Sequence, residues 1–142
     1  MAVRYRKYQD NSQNEKKHGK WYARAVVMGV KTTRDMADEI EANVSVKRAD
    51  VVAVLAELSN VVKRNLQDGY RVVIDDMGSF KIGLTTKAAE TSDKFTAENV
   101  IGTHVLFTPE SFRTSDGHRQ RRWLQEVKVQ ELPKNFVNDE QA

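Results

Sequence analysis

The segment "SVKRADVVAVLAELSNVVKRNLQDG", residues 45–69, limits the possible folds of this chain more than any other. Val51, Val54, Leu55, Leu58, Val61, Val62 and Leu66 recur at three- and four-residue spacings, which places them on one broad stripe of a helix. Ser45 stands where a hydroxyl can cap the first turn, and Gly69 where a left-handed residue closes the last. Just upstream, "TTRDMADEIEANV" predicts a shorter amphipathic helix. Met36, Ile40 and Val44 lie four apart on it, Thr32 or Thr33 can cap it, and Asp35 sits in its first turn. The stripe on the long helix is wider than that short neighbour can cover. It asks for another apolar partner, and a second copy of the helix is the simplest one.

After the long helix comes "RVVIDDMGSFKIGL", residues 71–84. Two β-prone runs separated so closely cannot be joined by a crossover, so they should pair antiparallel. Asp75, Asp76 and Gly78 then supply turn chemistry, and Phe80, Ile82 and Leu84 alternate so that they can face the helix pair. "TTKAAETSDKFTAENVIGT" is polar, lacks a sustained period, and reads as an exposed excursion. "HVLFTPESF" returns as a strand through Val105 and Phe107, stopped by Pro109. "TSDGHRQRRW" reads as a basic turn or a frayed helix, "WLQEVKVQEL" as a last strand, and "PKNFVNDEQA" as a tail. Before all of this, "VRYRKYQ" and "KWYARAVVMGV" read as two strands of a hairpin joined by a long, mobile polar connection.

Composition enters as a set of exclusions. A chain of 142 residues makes one ordinary domain with room for an extension, and one this small often completes its core by dimerising. It has no Cys, so disulfides, thiol catalysis and cysteine metal sites are excluded and a reducing cytoplasm is the simplest home. The first twenty residues lack an apolar core and do not read as a secretory signal, and no run has the length of a membrane span. His18, His104 and His118 are scattered rather than spaced as metal ligands. Asp75 and Asp76 are adjacent at a strand end, so they point apart and do not form an acid–base pair. Neither a phosphate-binding Gly-rich loop nor a nucleophile motif is present. No enzyme is expected, and no cofactor or metal.

Net charge is +3 but unevenly placed. Residues 1–31 hold eight Lys/Arg against two acids, residues 32–112 nine against thirteen, and residues 113–142 six against five. Basic ends can attract nucleic acid, although solvated termini are the more ordinary reading. Within them, Arg119, Arg121 and Arg122 beside Trp123 form the best cluster, because guanidinium pairs well with phosphate and the indole offers a face. A solvated turn with Trp123 in the core is an equal alternative. Trp21 and Tyr22 could stack bases, but on a β-rich extension they more often fill a core.

Taken in order, "SVKRADV…NLQDGYRVVIDDMGSFKI" and "FTP" resemble the HU/IHF family of bacterial histone-like DNA-binding proteins over roughly residues 32–115. Met77–Phe80 is similar to the family's Gly-Phe-Gly-x-Phe signature. Gly78–Phe80, Ala89–Thr91, Phe95–Asn99 and Phe107–Pro109 resemble pieces of the Bacteroidetes-type branch, which carries an N-terminal β extension. The resemblance implies an α+β fold: an intertwined homodimer with a helical base, an antiparallel β-sheet saddle and a β-arm, here with extra terminal strands. It divides the chain into a basic β-hairpin extension at 1–31, an HU-like DNA-binding domain at 32–115, and a C-terminal basic turn, strand and tail at 116–142. The arm departs from the family pattern. It has neither Pro nor Arg, Gly83 and Thr85 stand where arm arginines usually stand, and Lys81, Lys87 and Lys94 are offset by Glu90, Asp93 and Glu98. The family's wedge between base steps carries over to no residue, Phe95 being the only large aromatic there.

The expectation is a dimeric, nucleoid-located cytoplasmic protein that contacts duplex DNA through phosphates with little sequence preference. Its DNA contacts would be Lys81, Lys87, Lys94, Arg113, Arg119, Arg121 and Arg122. The alternative is an HU-fold module that has lost the DNA-bending arm and binds a protein partner, with the N-terminal extension as a contact.

Overall fold

The structure is a computed structural model and describes residues 1–135. The part of the expected tail from 136 onward lies outside the described residues. The described residues form an α+β fold of two α-helices and three small sheets. In order, these are β1 (Val3–Gln9), β2 (Trp21–Ala25), α1 (Thr33–Asn43), α2 (Arg48–Gln67), β3 (Val72–Ile74), β4 (Gly78–Thr86), β5 (Val100–Pro109), β6 (Ser111–Arg113), β7 (Arg119–Arg121) and β8 (Val129–Glu131). No helix among the described residues is long and apolar enough to cross a membrane.

The chain divides into two compact units, one of residues 1–36 with the chain from 126 onward, the other Ala37–Gln125. In the first, β1 and β2 pair antiparallel from Tyr5↔Ala25 to Gln9↔Trp21, as the alternation suggested. The connection between them is tied rather than loose. The Asp10 and Gly19 amides donate to the carbonyls of Lys20 and Asp10, and His18 Nδ1 lies 2.9 Å from the Ser12 carbonyl. The last strand, β8, joins this sheet parallel to β1, giving the order β2-β1-β8. Leu132, just past β8, is buried.

α1 begins as its sequence indicates. The Thr32 amide and hydroxyl donate to Asp35 Oδ2 at 2.7 and 2.6 Å, and the Asp35 amide returns a bond to Thr32 Oγ1. α2 does not begin at Ser45. It starts at Arg48 behind Lys47, which offers no side-chain cap. The cap comes from α1 instead: Glu41 Oε1 accepts the Arg48 amide at 3.0 Å, and Asp38 holds the Arg48 side chain at 2.8 Å. A carboxylate at a helix N-terminus also favours the dipole there. At the other end Gly69 takes φ +85°, its amide donates to Leu66 and that of Tyr70 to Asn65, which closes the helix.

In the second unit, β3-β4-β5 form an antiparallel sheet. The two acids between the apolar strands lie in the β3–β4 turn. Asp76 takes the left-handed region at φ +65°, and the Met77 amide closes the turn on the Ile74 carbonyl. β4 and β5 then run on together as a two-stranded ribbon from Gly78↔Pro109 to Thr86↔Val100. β5 starts at Val100, four residues earlier than the sequence suggested, so part of the excursion is strand. The basic turn is flanked by the short β6–β7 ladder rather than being a frayed helix.

The core of one chain is thin. Ala37, Val51 and Leu66 are the buried apolar residues of the second unit. Val54, Leu58 and Val61 on the α2 stripe are exposed, Val54 by 65%, as are Met36 and Ile40 on α1 and Val44 just past its end. Phe80 is partly covered, but Ile82 and Leu84 are exposed, so the expected cover of the ribbon by the helix pair ends at Phe80.

Candidate functional site

Strand alternation gives the β4–β5 ribbon two different faces. Phe80, Ile82 and Leu84 lie across from Phe107, Val105 and Thr103 on one. Its inner end is an aromatic row, with Phe80 and Phe107 centroids 4.8 Å apart and Trp123 6.0 Å beyond. Trp123 is thus packed through one side while remaining about half exposed.

The other face carries Ser79, Lys81, Gly83 and Thr85 against Thr108, Leu106, His104 and Gly102. Lys81 is exposed on it. Arg71 joins this face, donating to the buried Ser79 hydroxyl at 3.0 Å. This cation was missed in the sequence, although its two-residue spacing from exposed Val73 on β3 would have placed it here. The His104 imidazole lies over Gly83, so a methyl at that glycine would meet Nε2 at 2.6 Å. An arginine at this position would first have to displace the histidine.

The ribbon tip is self-contained. The Lys87 amide donates to the Asn99 carbonyl at 2.7 Å, and Asn99 Oδ1 accepts the Thr96 amide at 2.9 Å. Lys94 is held by Glu90 at 2.9 Å, whereas the Lys87 side chain has no carboxylate partner among the described residues. Phe95 is exposed at this end.

The β6–β7 hairpin gathers the arginines differently from the simple cluster. Register places Arg113 directly opposite Arg119 and Arg121 opposite Ser111. Arg119 Nε donates to Ser111 Oγ at 2.7 Å, a neutral partner that fixes the side chain without cancelling its charge. Arg113, Arg119 and Gly117 line a shallow recess there. Arg122 is engaged elsewhere. Its Nε lies 2.8 Å from Glu110 and 3.3 Å from Asp76, and its guanidinium stands 6.0 Å over Phe112. The hairpin thus presents Arg113, Arg119 and Arg121, while Arg122 bridges the β3–β4 turn to Glu110 at the head of β6.

In the terminal sheet, Glu131 holds Lys7 at 2.8 Å, and that bond keeps the ammonium above its ordinary range. Hydrogen bonds from Ser12 hold the Asp10 carboxyl below its own. Trp21 is 66% exposed and Tyr22 lies against Tyr8, so neither fills a core. No group of three or more His, Asp or Glu placed to hold a metal occurs among the described residues.

Two helices leading into a three-stranded sheet with an elongated antiparallel ribbon define a small α+β domain of the HU type. The family described as HU domain fused to wHTH, Ig, or glycine-rich motif matches residues 1–120, and the chain belongs to that family. Among solved structures it is similar to a crystal structure of a candidate bacterial DNA-binding protein from Bacteroides vulgatus, with a TM-score of 0.61 and 14% identity. That match covers 92% of this chain and 48% of the other, so the chain spans about half the length of that protein. No curated protein matches the chain.

Proposed function

We propose that this chain is a non-enzymatic architectural DNA-binding protein that works as a homodimer and grips duplex DNA through its phosphates, with little sequence preference. The observation that carries this reading is the set of cations on one unit that no carboxylate among the described residues neutralises. Lys81 and Arg71 lie on the polar face of the ribbon, Lys87 at its tip, and Arg113, Arg119 and Arg121 on the β6–β7 hairpin. Phosphate contacts of this kind release counterions and carry no base information. The exposed α2 stripe supports the dimer, since a second copy would cover what α1 leaves open. A bacterial nucleoid is the setting that such a role implies.

Fluorescence anisotropy with a random-sequence duplex across a salt series tests the reading. Affinity should fall steeply with salt, and replacing Arg113, Arg119 and Arg121 together by Ala should lower the slope of log K against log salt by about 2.7 per copy if each meets one phosphate. A salt response that is flat in the wild type would overturn a phosphate-driven mode. Arg122→Ala should leave that slope unchanged, because Glu110 and Asp76 already take up its charge. It should lower stability by less than about 1 kcal/mol, since the ion pairs are solvent-exposed.

A second reading has its own support. The ribbon tip has no Pro, its Lys94 is neutralised by Glu90, and Asp93 and Glu98 add negative charge. An HU-fold module that binds a protein rather than DNA would look like this at the tip, and absence of duplex binding even at low salt would favour it.

A further inference from the structure

The terminal sheet ends on an open strand. In the order β2-β1-β8, β2 is an edge, and all of its residues, Trp21–Ala25, are exposed. The positions that bond to β1 are the even ones. Just past the strand the Val26 amide donates to the Arg4 carbonyl, and just before it the Lys20 carbonyl accepts the Asp10 amide. Antiparallel pairing alternates, so the amides and carbonyls of Trp21, Ala23 and Ala25 point outward from the sheet. No backbone hydrogen bond takes them up among the described residues.

Sheets ordinarily guard such an edge with a proline, a bulge or a charge standing on it. β2 has no proline, and its register with β1 runs without interruption from Tyr5↔Ala25 to Gln9↔Trp21. Its one charged residue, Arg24, is drawn back over the Tyr8 ring of β1, with the guanidinium carbon 4.2 Å from the ring centroid. Arg24 thus lies over the interior of its own sheet and leaves the edge unguarded.

We propose that the β2 edge pairs with the β2 edge of a second copy of this chain, antiparallel about a two-fold axis at Ala23. The residues of the strand select this occupant and this register. Centred on Ala23, the pairing sets Trp21 opposite Ala25, Tyr22 opposite Arg24 and Ala23 opposite Ala23. Every outward amide and carbonyl of β2 then meets its complement. Each indole lies across from a methyl group, and each guanidinium across from an aromatic ring. The neighbouring two-fold registers fit less well. Centring on Tyr22 sets Arg24 against Lys20, and centring on Arg24 sets that residue against itself. Each of these also carries one end of β2 past the end of its partner. The three-stranded sheet becomes six-stranded, with Val3, Tyr5, Trp21 and Val129 of both copies on one face. So short an edge is a small contact, weak in dilute solution and formed where copies are crowded. On the DNA-binding reading, copies bound side by side on one duplex would be such a place, but the pairing itself requires neither DNA nor the α2 stripe.

Disulfide trapping in the full chain tests the register. The chain has no cysteine, so each introduced thiol is unique. In concentrated protein without DNA, mild oxidation should join two copies of the Ala23→Cys variant, since opposed Cα atoms in such a pair lie about 5.5 Å apart. A mixture of Trp21→Cys and Ala25→Cys should form the mixed bond roughly tenfold faster than either variant joins to itself, because like positions there are about 13 Å apart. Adding Ala23→Pro to both members of the mixture should abolish the mixed bond while the far-ultraviolet circular dichroism is kept, because the amide it removes points outward. The readout is the position of the bond and not the mass of the particle, so it is independent of pairing through α2. Absence of a disulfide at Ala23, equal rates for mixed and like pairs, or a mixed bond that survives Ala23→Pro overturns the proposal and leaves the DNA-binding reading standing.

Discussion

Replacing Gly78 by Ala should destabilise the fold by about 3 kcal/mol. Gly78 opens β4 at φ +146°, a conformation that side chains rarely adopt. A Cβ there would also lie 2.3 Å from the Thr108 carbonyl oxygen and 2.9 Å from Pro109 Cα, both backbone atoms of the paired strand. Neither can move without breaking the ladder that starts the ribbon. Urea unfolding at fixed protein concentration should show the midpoint falling with little change in slope. Gly83→Ala is the contrast. Its Cβ would meet the His104 imidazole, which can swing aside, so the cost should stay below about 1 kcal/mol. Equal effects at the two positions would mean that the Gly78 contact yields as easily as a side chain.

If the proposed dimer forms through the α2 stripe, Val54→Asp should convert it to monomer. Val54 is 65% exposed within one chain, so the substitution removes almost nothing from the packing of its own subunit. If a second copy covers the stripe, each dimer buries two new carboxylates, because a two-fold interface repeats every change. At about 3 kcal/mol each, the dissociation constant rises by roughly four orders of magnitude. Sedimentation equilibrium should give about twice 16.2 kDa for the wild type and the single-chain mass for the variant. A wild type that sediments as a stable single chain at micromolar concentration would remove the dimer from the account. A variant that still dimerises would place the interface elsewhere.

The helices were readable because their signals are local and repeated. The α2 stripe and Gly69 are set by spacing alone. The start of α2 was not readable from Ser45, because its first amide is satisfied by Glu41, seven residues upstream on α1. The strand pairs within hairpins followed from short connections, but the place of β8 did not. A three-residue strand with imperfect alternation gives no sign that it will pair parallel to β1. The early start of β5 was hidden for a similar reason, since "NVIGT" carries one apolar pair and a glycine rather than an alternating run.

The candidate site was legible as a list of cations and illegible as a balance of charge. Lys94 and Glu90 are four apart, and their pairing is the kind that sequence spacing suggests. Arg122 with Asp76 is not, for the two are brought together only when the β3–β4 turn and the segment after β7 meet. Arg113 and Arg119 become neighbours through register, which no count of arginines in "RTSDGHRQRR" contains. Arg71 escaped notice because it precedes its strand by one residue and shows its role only through Ser79.

The parallel seam between β1 and β8 has a consequence for biosynthesis. Arg4 meets Gln130 across 126 positions of chain, so the outer edge of β1 waits for its β8 partner until those residues have been made. At ordinary ribosomal speed the interval is on the order of ten seconds. Throughout it, the helices and ribbon can assemble while the first hairpin waits with one side open. Unpaired edges invite neighbouring nascent chains, and closely spaced positive side chains discourage them. Arg4, Arg6 and Lys7 sit on that waiting strand, so their charge would keep newborn copies apart.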